Sequence, residues 1–175
     1  TLRELLRAGA HFGHKVSKRH PSMEKFIFGQ RTGVHIFNLE KTRDQLVKAL
    51  DYVRALVAEG KMILFVGTKK QAQEIVKTAA LACGMPYVTE RWLGGTVTNF
   101  SVIRKQVDKL IDLRTKRDRG DLQKYTKKEQ LEFERDIARL EEMVGGIERL
   151  TKVPDAFFIW DIRTEKTAFH EARRK

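Results

Sequence analysis

Arg91-Trp92-Leu93-Gly94-Gly95-Thr96-Val97-Thr98-Asn99-Phe100 brings a cation, an indole, two adjacent glycines and an amide into one short run that contains no acid, histidine or cysteine. Arg91 and Trp92 offer charge beside a flat stacking face. Gly94 and Gly95 allow close backbone approach or a positive φ. Asn99 is suited to capping a following helix or to reading a hydrogen-bonding edge. This is equipment for gripping RNA rather than for turning over a substrate. A Gly-Gly turn beside a core tryptophan fits the same residues.

Three other constellations carry potential chemistry. Gly67-Thr68-Lys69-Lys70 follows the apolar run Ile63–Val66 and opens a helix, the place where an α/β sheet binds phosphate. This is the argument for a nucleotide-dependent enzyme. Neither G-x-x-x-x-G-K-[ST] nor G-x-G-x-x-G is present, which leaves Lys69 and Lys70 as candidates for an RNA phosphate or as a solvated first turn. His11 and His14 stand three apart, with His20 and Glu24 as the nearest further metal ligands. Hydrogen bonding, stacking or packing beside Phe12 is the reading preferred over zinc. Asp155 and Asp161 bracket one apolar run, so they lie at its opposite ends and form no carboxylate dyad; Asp161 reads as a turn or cap residue. The single Cys83 excludes an internal disulfide and a cysteine zinc cluster, fits a reducing compartment and reads as a packed core thiol.

Bulk composition points the same way. A chain of 175 residues with 41% apolar and 33% charged residues is long enough for a core and rich in polar surface. The net charge of +12 and pI near 10.0 favour a polyanionic partner. The basic residues cluster. Arg3, Arg7, Lys15, Lys18, Arg19, Lys25 and Arg31 face only Glu4 and Glu24 in the first part of the chain, and residues 101–130 are basic while 131–150 are acidic. No uncharged apolar run is long enough for a bilayer, and no signal peptide is visible.

The elements that must position these residues follow from periodicity. Residues 1–10 read as a short helix and 11–22 as an irregular basic loop. Phe26–Phe28 and Val34–Phe37 read as short strands joined by a hairpin loop over 29–33. Asn38 caps a helix running to about Glu59, with its apolar side at Leu39, Leu46, Leu50, Val53 and Leu56 or Val57. Strand Met62–Val66, a helix over 69–82, a strand from Pro86, strand Ala156–Trp160 and a helix over 164–174 imply an α/β fold with a mostly parallel sheet and helices on both faces. Between them, Ile103, Val107 and Leu110, then Phe133, Ile137, Leu140, Val144 and Ile147, mark a heptad seam. Gly120-Asp121 breaks it and Thr126–Glu129 restarts it as a capping box. This predicts an antiparallel coiled-coil hairpin projecting as an arm, with Gly145-Gly146 inside the second helix permitting close packing at its base.

Five blocks, Leu5–His14, Val34–Thr42, Ile63–Ala72, Arg91–Phe100 and Val153–Asp161, in this order and spacing resemble the bacterial-type ribosomal protein two family of the small subunit. The resemblance covers nearly the whole chain. Lys18-Arg19-His20-Pro21-Ser22 departs from the family's aromatic and Asn-Pro-Lys, and the chain stops before the family's next strand and C-terminal helices. The resemblance implies a flavodoxin-like fold: a discontinuous α/β domain, 1–100 plus 151–175, lacking its last strand and helices, with the hairpin inserted at 101–150. Archaeal and eukaryotic relatives lack that hairpin, which implies a bacterial or organellar protein. It further implies a non-enzymatic, cofactor-free structural constituent of the small ribosomal subunit, in the cytoplasm or an organelle. Its partners would be ribosomal RNA, neighbouring ribosomal proteins and, docked by it, the large mRNA-binding ribosomal protein one. Lys15, Lys18, Arg19, Arg91, Trp92, Asn99, Arg104 and Lys105 are the candidate RNA-binding residues. The rival from another class is a protein–protein adaptor working through the coiled coil. The open sheet edge further predicts an incomplete fold in isolation.

Overall fold

The computed structural model describes residues 1–174. The chain divides into two compact units, Thr1–Gly60 and Lys61–Lys175.

In the first unit, helix α1 (Leu2–Arg7) starts at a capping box formed by Thr1 and Glu4. Strands β1 (Phe12–Lys15), β2 (Ile27–Arg31) and β3 (Val34–Phe37) form an antiparallel sheet in the order β1-β3-β2. The turn between β2 and β3 is tighter than the expected loop. Thr32 and Gly33 both take positive φ, 49° and 75°, and two such residues match the twist of the strands they join, so Gly29 and Gln30 remain in the ladder. Strand β1 corrects the irregular loop expected at 11–22. Phe12-Gly13-His14-Lys15 has no strand-like alternation of its own and is held extended by its partner, Phe12 opposite Ile36 and Lys15 opposite Val34 across a bulge.

Helix α2 (Leu39–Ala58) begins as expected at Asn38, whose Oδ1 accepts from the N–H of Glu40 at 2.9 Å and of Lys41 at 3.2 Å. Its apolar side is where expected, but Leu46, Leu50, Val53 and Val57 are exposed and only Leu56 is buried. Periodicity specifies a helix with one apolar side; it does not supply the surface that covers it.

The second unit is built on a parallel sheet in the order β5-β4-β6, from β4 (Ile63–Val66), β5 (Tyr87–Val88) and β6 (Ala156–Ile159). Helix α3 (Lys70–Ala82) joins the first two strands and α6 (Lys166–Arg173) follows the third. The α/β class holds, while the single mostly parallel sheet is corrected to one antiparallel and one parallel sheet, three strands each. The apolar run of β4 is buried because it is the central strand; Ile63, Leu64 and Val66 are all inside. Among the described residues strand β6 pairs with β4 alone, and Phe158 stays exposed, so it is less buried than its composition suggests. Cys83 follows α3 and is exposed, not a packed core thiol, because it lies past Ala80, the last buried residue of that helix.

Residues 100–150 form helix α4 (Phe100–Asp118), a 3-10 turn at Asp121–Lys124, and helix α5 (Lys127–Val144). Gly120 ends α4 at φ 77°, and the Thr126–Glu129 capping box starts α5. Ile103, Val107, Leu110 and Leu113 share one core with Ile137, Leu140, Val144 and Ile147, so the two apolar stripes meet. Arg114 ties them across the edge, with Nε on Glu141 at 2.8 Å and a terminal nitrogen on Glu148 at 2.7 Å. The expectation that Gly145-Gly146 lies inside the second helix is corrected: the pair ends α5 in a 3-10 turn (Gly145–Ile147). Gly146 packs so closely on Tyr87 of β5 that a Cβ there would stand 2.8–2.9 Å from the ring and against the Tyr87 carbonyl oxygen. The close packing expected at the hairpin base is present at this one glycine.

Candidate nucleic-acid interface

The eight expected RNA residues fall into two groups, one in each unit. In the first unit, Lys15 ends β1, Lys18 closes the 3-10 turn Val16–Lys18, and Arg19 follows it; all three are exposed. Arg19 makes a 3.4 Å ion pair with Glu24, with both side chains well solvated, so little energy holds it there. His11 packs against Phe12 with ring centroids 4.0 Å apart and planes tilted by 38°, one of the roles preferred above to zinc. His14 is exposed, and among the described residues no cluster of three His, Cys, Asp or Glu could hold a metal ion.

In the second unit, the Arg91–Asn99 loop runs from the end of the β5 segment to the start of α4. Arg91 is exposed and makes no hydrogen bond or ion pair among the described residues. Trp92 differs: it is buried, in the same core as Leu64, Val66 and Val97. Its indole Nε1 donates to Glu171 Oε1 at 3.3 Å. The stacking role expected of Trp92 is therefore corrected to the core role that the motif also allowed, because its ring has no open face. Asn99 stands at the N-cap of α4 without capping it, and its exposed amide keeps only a 3.4 Å contact from Ser101. Gly95 takes φ 91°, which a side chain would strain. Gly94 is exposed and nothing lies within 4 Å of where its Cβ would be, so the chain itself imposes no need for glycine there.

Arg104 is also corrected. Its guanidinium donates to the carbonyls of Glu148 at 3.0 Å and Leu150 at 2.9 Å and pairs with Asp108 at 2.9 Å. It braces α4 to the segment leaving α5, leaving few donors for RNA. Lys105, one residue on, is exposed. At the far end of the helices, Arg117, Arg119, Lys124, Lys127 and Lys128 are exposed, with Lys124 Nζ 5.6 Å from the centre of the Tyr125 ring.

Sequence reasoning missed Glu165 and Glu171, the two buried acids among the described residues. The Glu171 carboxylate accepts from Trp92 Nε1 and from the N–H groups of Gly95 (2.7 Å), Val97 (3.0 Å) and Thr98 (3.3 Å). Burial pushes its carboxyl up, but the N–H groups of Gly95 and Val97, with the Trp92 indole and the Thr98 N–H, outweigh this and hold it below its ordinary value. One signal was available: Glu171 lies three residues from buried Ala168, on the inward stripe of α6.

Glu165 closes the other candidate site. Its Oε1 accepts from the Thr68 N–H at 3.0 Å and from the Thr68 hydroxyl, where a phosphate would meet the start of α3. Lys69 is drawn to Asp161 at 3.4 Å. Asp161 itself is a turn residue, accepting from Arg163 N–H and the Thr164 hydroxyl. Asp155, at the other end of β6, accepts from the Met62 N–H at 3.0 Å. A resident carboxylate repels a phosphate, so calorimetric titration with ATP or GTP is expected to show no micromolar binding. Micromolar affinity that disappears in Lys69→Ala would overturn this.

The family model for ribosomal protein S2 matches residues 5–175. The chain belongs to that family. It is 47% identical over 173 residues to the small ribosomal subunit protein uS2 of two Dehalococcoides mccartyi strains, ATCC BAA-2266 and CBDB1, covering 99% of this chain and 71% of each relative. The same identity holds over 174 residues with the uS2 protein of Aliarcobacter butzleri, covering 66% of that relative. Members of this family are structural components of the ribosome and not enzymes. No helix among the described residues is long and apolar enough to cross a membrane.

Proposed function

We propose that this protein is a structural constituent of the small ribosomal subunit, held on ribosomal RNA by two basic surfaces. One is Lys15, Lys18 and Arg19; the other is Arg91 and Asn99 with Lys105. The observation that carries this is Arg91: an exposed cation with no partner among the described residues, on a loop whose Gly95 and Val97 N–H groups are turned inward. Gly94 beside it leaves room for a phosphodiester backbone. The domain reading goes with it: a flavodoxin-like α/β domain of 1–100 and 151–175 carrying the 101–150 coiled-coil arm, working in a bacterial or organellar ribosome. Docking of the large mRNA-binding ribosomal protein one is the finer role that the family resemblance supports.

The test is co-sedimentation of the full-length protein with small-subunit particles that lack it, over a range of salt. Arg91→Ala is expected to weaken binding and to flatten the dependence of log K on log salt by about 0.7–0.9 for each phosphate that is no longer neutralised. Its thermal unfolding should stay within about 0.5 kcal/mol of the parent, as for a surface substitution. If Arg91→Ala co-sediments as tightly as the parent at every salt, this loop is a structural turn. An adaptor working through α4 and α5 would instead bind with little salt dependence.

A further inference from the structure

We propose that Glu171 is the positioning residue of the RNA-binding loop: its carboxylate sets the spacing and direction of Arg91 and Asn99 without touching RNA itself. This rests on the RNA reading of that loop. Five donors converge on the carboxylate: the Trp92 indole, the N–H groups of Gly95, Val97 and Thr98, and the Thr98 hydroxyl. Glu171 is 7% exposed, and among the described residues no lysine or arginine pairs with it. Its charge is therefore balanced by oriented N–H and O–H dipoles, much as an anion is held in a backbone nest. Hydrogen bonds to a buried charged group are among the stronger ones a protein makes, and the group left behind when one is removed is costly to bury.

The geometry has a direct consequence for the surface. Oε1 holds the loop at Trp92 and Gly95, and Oε2 holds it at Val97 and Thr98. Arg91 immediately precedes the first anchored residue and Asn99 immediately follows the last. Both exposed residues thus leave the protein from points that one carboxylate fixes. The inward N–H groups are occupied by Glu171, so the loop cannot cradle phosphate with its backbone at 95, 97 or 98. Recognition falls to the two flanking side chains and to the open side at Gly94.

Glu171→Gln, Glu171→Ala and Arg91→Ala, with the double variant Glu171→Gln/Arg91→Ala, are to be compared in the full-length protein by co-sedimentation with particles lacking it. A Trp160→Phe background makes Trp92 the indole reporter of this chain. Glu171→Gln is expected to weaken binding about tenfold, the equivalent of one charged hydrogen bond. Its Trp92 emission should shift to the red. Arg91→Ala should then add little to it, because an unpositioned Arg91 has little left to lose. In Glu171→Ala, formate should refill the nest and restore both affinity and Trp92 emission, while chloride at equal ionic strength should not. Should Glu171→Ala fail to fold, Glu171→Asp carries the comparison: it keeps the charge but draws it back by one methylene, and should lose affinity while keeping the fold. Full affinity in Glu171→Gln or Glu171→Asp, with weakened affinity in Arg91→Ala, overturns the positioning role and leaves the RNA reading standing. Unchanged affinity in Arg91→Ala overturns both.

Discussion

Trp92→Ala is expected to destabilise the protein by about 3–5 kcal/mol, the usual cost of emptying a buried aromatic site. The indole lies in one core with Leu64, Val66 and Val97, and its N–H is one of the donors on a buried carboxylate. Removing it opens a cavity and takes one donor from Glu171 Oε1, which retains the Gly95 N–H. Any loss of RNA affinity should therefore follow the loss of fold. It should shrink when binding is measured far below the melting temperature. Arg91→Ala should behave in the opposite way, with its melting temperature held and its affinity reduced. If Trp92→Ala melts like the parent yet loses binding, the indole stacks on a base after all, and that stacking would contribute about 1–3 kcal/mol.

The second large effect is expected at Gly146. Gly146→Ala places a Cβ against the Tyr87 carbonyl oxygen and 2.8–2.9 Å from its ring. The ring can swing, but the carbonyl belongs to strand β5, which pairs with β4. Relief therefore needs backbone movement, and a cost at or above the roughly 1–3 kcal/mol of ordinary overpacking follows. Gly145, one residue earlier, has nothing within 4 Å of its Cβ position and serves as the control. Gly145→Ala should melt near the parent. Equal melting temperatures for the two variants, read by circular dichroism, would show that the glycine pair is interchangeable and that β5 does not bear on the turn.

What was legible in the sequence was what local chemistry decides. The Thr126–Glu129 box starts α5, Asn38 starts α2, and the seam of Ile103, Val107 and Leu110 against Ile137, Leu140 and Val144 is buried as its spacing requires. The central apolar strand was legible because burial on both faces erases alternation. What stayed hidden depends on a partner distant in the chain. Strand β1 is extended because β3 holds it, and Arg104 reads as a surface cation until the Glu148 and Leu150 carbonyls arrive beside it. Trp92 could be assigned to core or surface only once Glu171 was known to meet its N–H. Local pattern ranks Lys15, Arg91 and Asn99 as surface donors, and their exposure agrees with that; it cannot see that two acids near the end of the chain organise the loops near its middle.

The distance between Val97 and Glu171 also sets a schedule. They are 74 residues apart in the chain. At synthesis rates of roughly 5–20 residues per second, the loop is made about 4–15 seconds before the acid that pins it. During that interval Gly95, Val97 and Thr98 have no carboxylate to close on, and Arg91 and Asn99 have no fixed separation. A chain released before residue 171 therefore carries Arg91 and Asn99 on a loop that nothing yet pins.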